Sequence, residues 1–118
     1  MAGVTTLVRG GVYLARLDPA KGGEVGKLRP MVILTDQTLL DVEPPHVFVC
    51  PLSSRSEPAY AALHVALEPR DELRRQSYAL VEHCRAISVR RLQSARLAQL
   101  DPTEIGTITR KLRRLIGE

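Results

Sequence analysis

A chain of 118 residues, 44% of them apolar, is expected to form one domain, residues 1–118, that buries roughly two-thirds of the surface its unfolded form exposes. With three Tyr, one Phe and no Trp its core must be aliphatic, and no run of about eighteen apolar residues offers a membrane span. The net charge of +4 is uneven, with nine Lys or Arg against ten Asp or Glu in residues 1–84 and eight against three in residues 85–118, which points to an acidic partner such as nucleic acid or an acidic peptide, or else to a solvated helix face.

Along the chain, "GGVYLARL" (Gly10 to Leu17) alternates Val12 and Leu14 with Tyr13 and Ala15 and predicts a strand opened by a glycine pair. "PMVILT" (Pro30 to Thr35) is a short apolar run of buried-strand length. "HVFVCPL" (His46 to Leu52) and "LHVAL" (Leu63 to Leu67) are a third and a fourth strand, and "SYALVEHCRAIS" (Ser77 to Ser88) continues the pattern, with charge entering at Glu82 and Arg85. The turn-rich stretches "DVEPP", "SSRSEPA" and "EPRDELRRQ" separate them. Several short strands so spaced favour a small barrel or sandwich. "VRRLQSARLAQL" is helical by propensity, yet Ser94 to Leu97 is also long enough for a closing strand, and a short turn followed by a strand is the expectation because a barrel needs its last edge covered. Asp101-Pro-Thr-Glu104 is a capping box with proline at the first helical position, and Ile105, Ile108, Leu112, Leu115 and Ile116 then recur on one helical face. Gly117 is the expected stop.

Cys50 and Cys84 are too few for a disulfide framework and are read as buried free thiols. With His46, His64 and His83 they form no C-x-x-C or H-x-x-x-H spacing, so no metal site is expected. The start, "MAGVTTLVRGG", lacks a basic region followed by an apolar stretch of signal-peptide length, and the expected location is the cytoplasm.

The first two strands flank "DPAKGGEVGKLRP" (Asp18 to Pro30), a loop rich in glycine and charge. Loops carry function more often than the frame that holds them. Arg29 presents a planar fork of donors that suits phosphate oxygens. Pro30 fixes its own φ and biases Arg29 towards extended backbone, which limits the directions the fork can take. Gly22 and Gly23 let the backbone come close to a ligand or turn sharply. Glu24 is a proton acceptor, or else an ion-pair partner of Arg29 or Lys27. Ser53 and Ser54 emerge directly after the third strand, where they donate to a phosphate or begin a turn towards Pro58. No G-x-S-x-G elbow surrounds them, which speaks against a serine hydrolase.

"RGGVYLARLDPAKGGEVGKLRPMVILT", "VFVCPLSS" and "SYALVEHCRAIS" together resemble the MazF/PemK (Kid) toxins over about residues 9–116. The matching positions in the first stretch are Arg9, Gly10, Asp18, Pro19, Gly22, Glu24, Gly26, Arg29 and Pro30. The resemblance implies a mainly β (α+β) fold, an SH3-like small β-barrel with a C-terminal α-helix, acting as a homodimer. It implies metal-independent cleavage of single-stranded RNA without a cofactor, by a toxin silenced when the acidic tail of its antitoxin occupies the RNA groove. Arg29 then matches the catalytic arginine and Ser53 a catalytic threonine. Glu24 matches a loop glutamate proposed as base, and Glu82 and Arg85 match positions with acid or base roles. Glu24 is preferred as the base, with Glu82 as its rival.

Lys21, Gly22, Gly23, Lys27, Ser54, Arg55 and Tyr60 are expected to contact the RNA, Tyr60 by stacking on a base. His64 and His83 are read as structural or surface residues. Departures from the family pattern are Ser53 for Thr, Gly11 where an acidic residue often follows Arg-Gly, Val25 for Gln and His83 for Gln. A gyrase-blocking toxin of the CcdB type on the same barrel is the alternative, against which the loop from Glu24 to Pro30 speaks.

Overall fold

The computed structural model describes residues 6–17 and 28–118, so Lys21, Gly22, Gly23, Glu24 and Lys27 lie outside the described residues. The apolar runs form seven strands: β1 Gly11–Arg16, β2 Leu28–Ile33, β3 His46–Ser53, β4 His64–Leu67, β5 Ser77–Leu80, β6 Arg85–Ser88 and β7 Leu92–Gln99. Two helices accompany them, α1 Gln37–Leu40 and α2 Pro102–Leu115. Antiparallel neighbours follow the order β4-β5-β3-β2-β1-β7, with β6 also paired to β3. Among the described residues no ladder joins the two ends. The mainly β class with a C-terminal helix therefore holds, but the expected barrel is an unclosed sheet.

Side chains alternate between the faces of a strand, and both faces of this sheet are buried. On one face Val12, Val32, Cys50 and Leu52 pack with Val65, Leu67, Ile105 and Ile108. On the other, Tyr13, Ala15, Met31, Ile33, Val47, Val49 and Ile87 pack with Leu40 of α1. Tyr13 is fully enclosed, yet its hydroxyl accepts from the Val8 N–H at 3.2 Å, so no buried polar atom is stranded there.

Ser77–Ser88 is not one continuous strand. A 3₁₀ turn at Val81–His83 divides it. The reason lies in β3, which pairs its first half (His46–Val49) with β6 and its last two residues (Leu52, Ser53) with β5. The chain must step along β3 to change register, and the turn is that step. Pro58–Leu63, expected as turn, is a short 3₁₀ helix opened by its proline. The expected turn and strand are present as a 3₁₀ turn at Val89–Arg91 followed by β7, but β7 pairs with β1 at the end of the sheet order and closes no barrel among the described residues.

The capping box is complete: the Glu104 N–H donates to Asp101 Oδ1 at 2.8 Å and the Asp101 N–H to Glu104 Oε1 at 3.0 Å. Ile105 and Ile108 are buried and Leu112 packs against the core, but Leu115 and Ile116 are exposed, so the apolar stripe ends one turn earlier than its periodicity implies. Glu104 also receives a two-pronged ion pair from Arg70, Nη1 to Oε1 at 2.5 Å and Nη2 to Oε2 at 2.6 Å, which ties the loop after β4 to the start of α2. No helix among the described residues is long and apolar enough to cross a membrane.

Candidate functional site

The register of β2 on β3 brings the first two candidates together. Met31 lies opposite Pro51, Val32 opposite Cys50 and Ile33 opposite Val49. Extending that antiparallel register by two residues sets Arg29 across from Ser53, on the face that holds Met31 and Val49. Arg85 of β6 pairs with Val49 and so shares the face. One apolar face of the sheet thus runs out into Arg29, Ser53 and Arg85 at its end.

Two grooves meet there. One, of about 650 Å³, is lined by Arg29, Ser53, Ser54, Arg55, Arg74, Arg75 and Ser77 with Pro30, Leu52 and Leu73. The other, of about 380 Å³, is lined by Arg29, Ser53, Arg55, Arg85, Glu82 and His83 with Leu17, Pro51, Glu57, His64 and Leu80. Arg29, Ser53 and Arg55 line both. Four arginines and three serines on one groove wall, with no carboxylate among the described lining residues, form a surface for an extended polyanion.

Ser53 Oγ accepts from the Arg55 backbone N–H at 3.1 Å. That bond holds the rotamer that a threonine methyl would otherwise restrict. It also uses the oxygen as acceptor and leaves the hydroxyl proton to donate. Glu82 reaches its groove from the 3₁₀ turn between β5 and β6. Its Oε2 lies 2.8 Å from His64 Nε2 and 3.8 Å from His83 Nε2, while Oε1 is buried without a hydrogen-bond partner among the described residues.

The structure therefore gathers Arg29, Ser53, Ser54, Arg55, Glu82 and Arg85 at the two grooves. Tyr60 is exposed on the 3₁₀ helix and is not among the residues lining either groove. Lys21, Gly22, Gly23, Glu24 and Lys27 fall outside the described residues. Sequence reasoning misses Arg74 and Arg75, although two adjacent arginines in "EPRDELRRQ" are the available signal. His64 has no such signal, because its two partners are distant in the chain.

Cys50 is buried and Cys84 partly so, both as free thiols. The hydrogen-bonded Cys84 thiol and then burial push the Cys50 thiol well up, so it stays protonated and unreactive at neutral pH. Among the described residues no group of three or more His, Cys, Asp or Glu side chains is placed to hold a metal ion.

A sequence model of the family described as PemK-like, MazF-like toxin of type II toxin-antitoxin system matches residues 8–116. The chain belongs to the PemK/MazF toxin family. Members of this family are endoribonuclease toxins of type II toxin–antitoxin systems. Among solved structures, the fold resembles the MazE–MazF complex (form II) from Deinococcus radiodurans, with 23% identity, coverage of 96% of this chain and 97% of that one, and a TM-score of 0.79. It also resembles MazF (form I) from the same organism, with 24% identity, coverage of 97% and 99%, and a TM-score of 0.76. A third likeness is the Mycobacterium tuberculosis toxin MazF-mt6, with 19% identity, coverage of 90% and 95%, and a TM-score of 0.72. At these identities the structural likeness speaks to the PemK/MazF fold, while the family match carries the membership.

Proposed function

We propose that this chain is a metal-independent, sequence-specific endoribonuclease toxin that cleaves single-stranded RNA. The observation that carries the reading is the convergence of Arg29, Ser53, Glu82 and Arg85 on one groove, positions that the family resemblance marks as functional. RNA brings its own nucleophile. A base takes the proton of a ribose 2′-hydroxyl, the oxygen attacks the adjacent phosphorus, and the bond to the 5′-oxygen breaks. The products are a 2′,3′-cyclic phosphate and a 5′-hydroxyl. The protein's main task is to stabilise charge that grows on the phosphate oxygens. Arg29 supplies a fork of donors to them and Ser53 a second hydrogen bond, with Glu24 preferred as base and Glu82 as rival.

Arg55, Arg74 and Arg75 hold neighbouring phosphates along the larger groove. Lys21, Gly22, Gly23, Lys27 and Ser54 complete the RNA contacts, and Tyr60 stacks on a base from outside the grooves. The protein acts as a homodimer in the cytoplasm and is silenced by a cognate antitoxin whose acidic tail competes for the arginine-lined groove. The complex of the Deinococcus relative with MazE supports such a partner.

The test is cleavage of a long single-stranded RNA in excess EDTA by wild type and by Arg29→Ala. Wild type is expected to cut, and the variant to lose on the order of 100-fold or more in rate. Equal rates would remove the site, and cutting only with added metal would remove the chemistry.

A further inference from the structure

The two cysteines of the chain face one another. β3 and β6 pair Val47 with Ile87, Phe48 with Ala86 and Val49 with Arg85. One step further along that register, Cys50 lies opposite Cys84. Cys84 packs against the buried cluster that contains Cys50, and the two thiols are hydrogen-bonded to each other. Opposed residues of an antiparallel pair have Cα atoms about 4.5–5.5 Å apart, inside the span of roughly 4.4–6.8 Å that a disulfide bridges.

The pair is unequal in access. Cys50 is buried in the sheet, with Val32 of β2 paired on its other side. Cys84 is only partly buried and follows the Val81–His83 turn, between the exposed His83 and Arg85. The Cys50 hydrogen bond holds the Cys84 thiol below its ordinary value, against burial and the charge of Glu82. An oxidant arriving from solvent therefore meets Cys84 first, as the more exposed and more acidic thiol.

We propose that Cys50 and Cys84 form a reversible, peroxide-sensitive dithiol whose closure into a disulfide slows RNA cleavage. The slowing rests on the ribonuclease reading above; the bridge itself does not. The Cys84 thiolate attacks one peroxide oxygen and the O–O bond breaks. Cys84 becomes a sulfenic acid, and the hydroxide released takes up the proton that Cys84 had given up. Cys50, unreactive towards solvent, then attacks the sulfur it already touches. The S–S bond forms, the S–O bond breaks, and the departing hydroxide leaves as water with the Cys50 proton. Two thiols are oxidised to one disulfide while one peroxide is reduced to two waters. A small dithiol reverses the change by thiol–disulfide exchange and is itself oxidised.

Closure has a mechanical consequence. Cβ atoms across an antiparallel pair lie about 4.5–5.5 Å apart, against roughly 3.5–4.5 Å in a disulfide, so the bridge draws the residues together by about 1 Å. Cys50 is held in the sheet by β2, whereas Cys84 follows a turn of 3 residues, so Cys84 makes most of the move. Its neighbours Glu82 and Arg85 line the smaller groove with Arg29 and Ser53. A displacement of about 1 Å at such a site is enough to cost up to about 100-fold in rate.

The experiment treats the reduced protein with hydrogen peroxide, blocks remaining thiols, and maps its peptides without reductant, beside Cys50→Ala and Cys84→Ala. A peptide joining Cys50 to Cys84 within one chain is expected. Cys50→Ala is expected to stop at a Cys84 sulfenic acid, captured by dimedone, and Cys84→Ala to leave Cys50 unoxidised. RNA cleavage by the bridged wild type is expected to fall on the order of 10-fold and to return with dithiothreitol, while Cys84→Ala is insensitive to peroxide. Should a variant not fold, the wild-type map decides alone.

Thiols that stay reduced until urea unfolds the protein, or that join two chains, would overturn the bridge. A bridged protein that cuts RNA at the reduced rate would overturn the regulation. Reduced protein that cuts no RNA would overturn the ribonuclease reading and the regulation with it, while a mapped bridge would still stand.

Discussion

Replacing Arg70 by Met removes the ion pair that closes the loop after β4, together with an exposed bond from Arg70 Nε to the Glu68 carbonyl at 3.0 Å. The substitution keeps an unbranched apolar stem and removes the fork that donates to Glu104 at 2.5 and 2.6 Å. Exposed ion pairs contribute about 0–1 kcal/mol, and buried hydrogen bonds to charged groups about 1.5–3. Here the two side chains are 21% and 20% exposed, between those limits. A loss of about 1–2 kcal/mol follows. At roughly 2.1 cal/mol/K per residue, a domain of this size has an unfolding entropy near 0.25 kcal/mol/K, so the melting temperature is expected to fall by about 4–8 °C.

The pH dependence fixes the cause. The Arg70 hydrogen bond holds the Glu104 carboxyl below its ordinary value, and the Asp101 N–H adds to it. A carboxylate depressed in the folded state contributes stability that is fully present above its unfolded pKa, about 4.3, and is lost as pH falls through the folded one. The gap between wild type and Arg70→Met is therefore expected to be constant near neutrality and to narrow in acid. Glu104→Gln, which retains an acceptor for the Asp101 N–H, should erase most of the effect of Arg70→Met when the two are combined. An unchanged melting temperature, or a gap that stays the same down to strongly acid pH, would refute the reasoning.

Gly10 sits at φ +84°, and a Cβ there would come within 2.4 Å of Ile105 Cδ1 and 2.8 Å of Gln99 Nε2. Gly10→Ala is therefore expected to cost roughly 1–3 kcal/mol in a urea titration, through crowding at the seam between β1 and α2. In RNA binding, Arg74→Ala with Arg75→Ala should reduce the slope of log affinity against log salt by about 0.7 for each phosphate that is no longer neutralised. An unchanged slope would place the RNA away from the larger groove.

Much of the fold is legible in the sequence because its signals are local. The first strand run alternates, the others are short apolar runs bounded by turn-rich stretches, and the capping box of α2 is written in four consecutive residues, Asp101 to Glu104. The four-residue α1 escapes such reading because it is shorter than one helical repeat of apolar spacing. It is specified instead by Asp36, whose carboxylate accepts from the Thr38 N–H at 3.0 Å, and by Gln37 reaching back to the Leu7 carbonyl at 3.0 Å. Of the site, Arg29 and Ser53 are readable because each follows from its neighbours: a proline after the arginine, an apolar strand before the serine. His64 reads in sequence as a structural or surface histidine. It is buried, but its two bonds reach Ser56 and Glu82, partners that meet it only once β4 lies beside the turn after β5. Leu115 and Ile116 fit the helical stripe, but periodicity alone does not say where the core stops.

The placement of Glu82 follows from a proline. Pro51 lies within β3 between the stretch paired with β6, ending at Val49, and the stretch paired with β5, beginning at Leu52. Having no N–H, proline cannot extend a ladder on its donor side, which confines it to places where pairing stops. Here the neighbouring chain leaves the sheet at that level and forms the Val81–His83 turn. The same break that spares Pro51 a missing bond lets Glu82 leave the pleat and reach the groove that Pro51 itself lines. Arg29 and Arg85 arrive from the strands on either side of β3, whose own end supplies Ser53. The site thus occupies the point where β3 changes partners, and the interruption of the sheet is what brings Glu82 into the groove with Arg29, Ser53, Arg55 and Arg85.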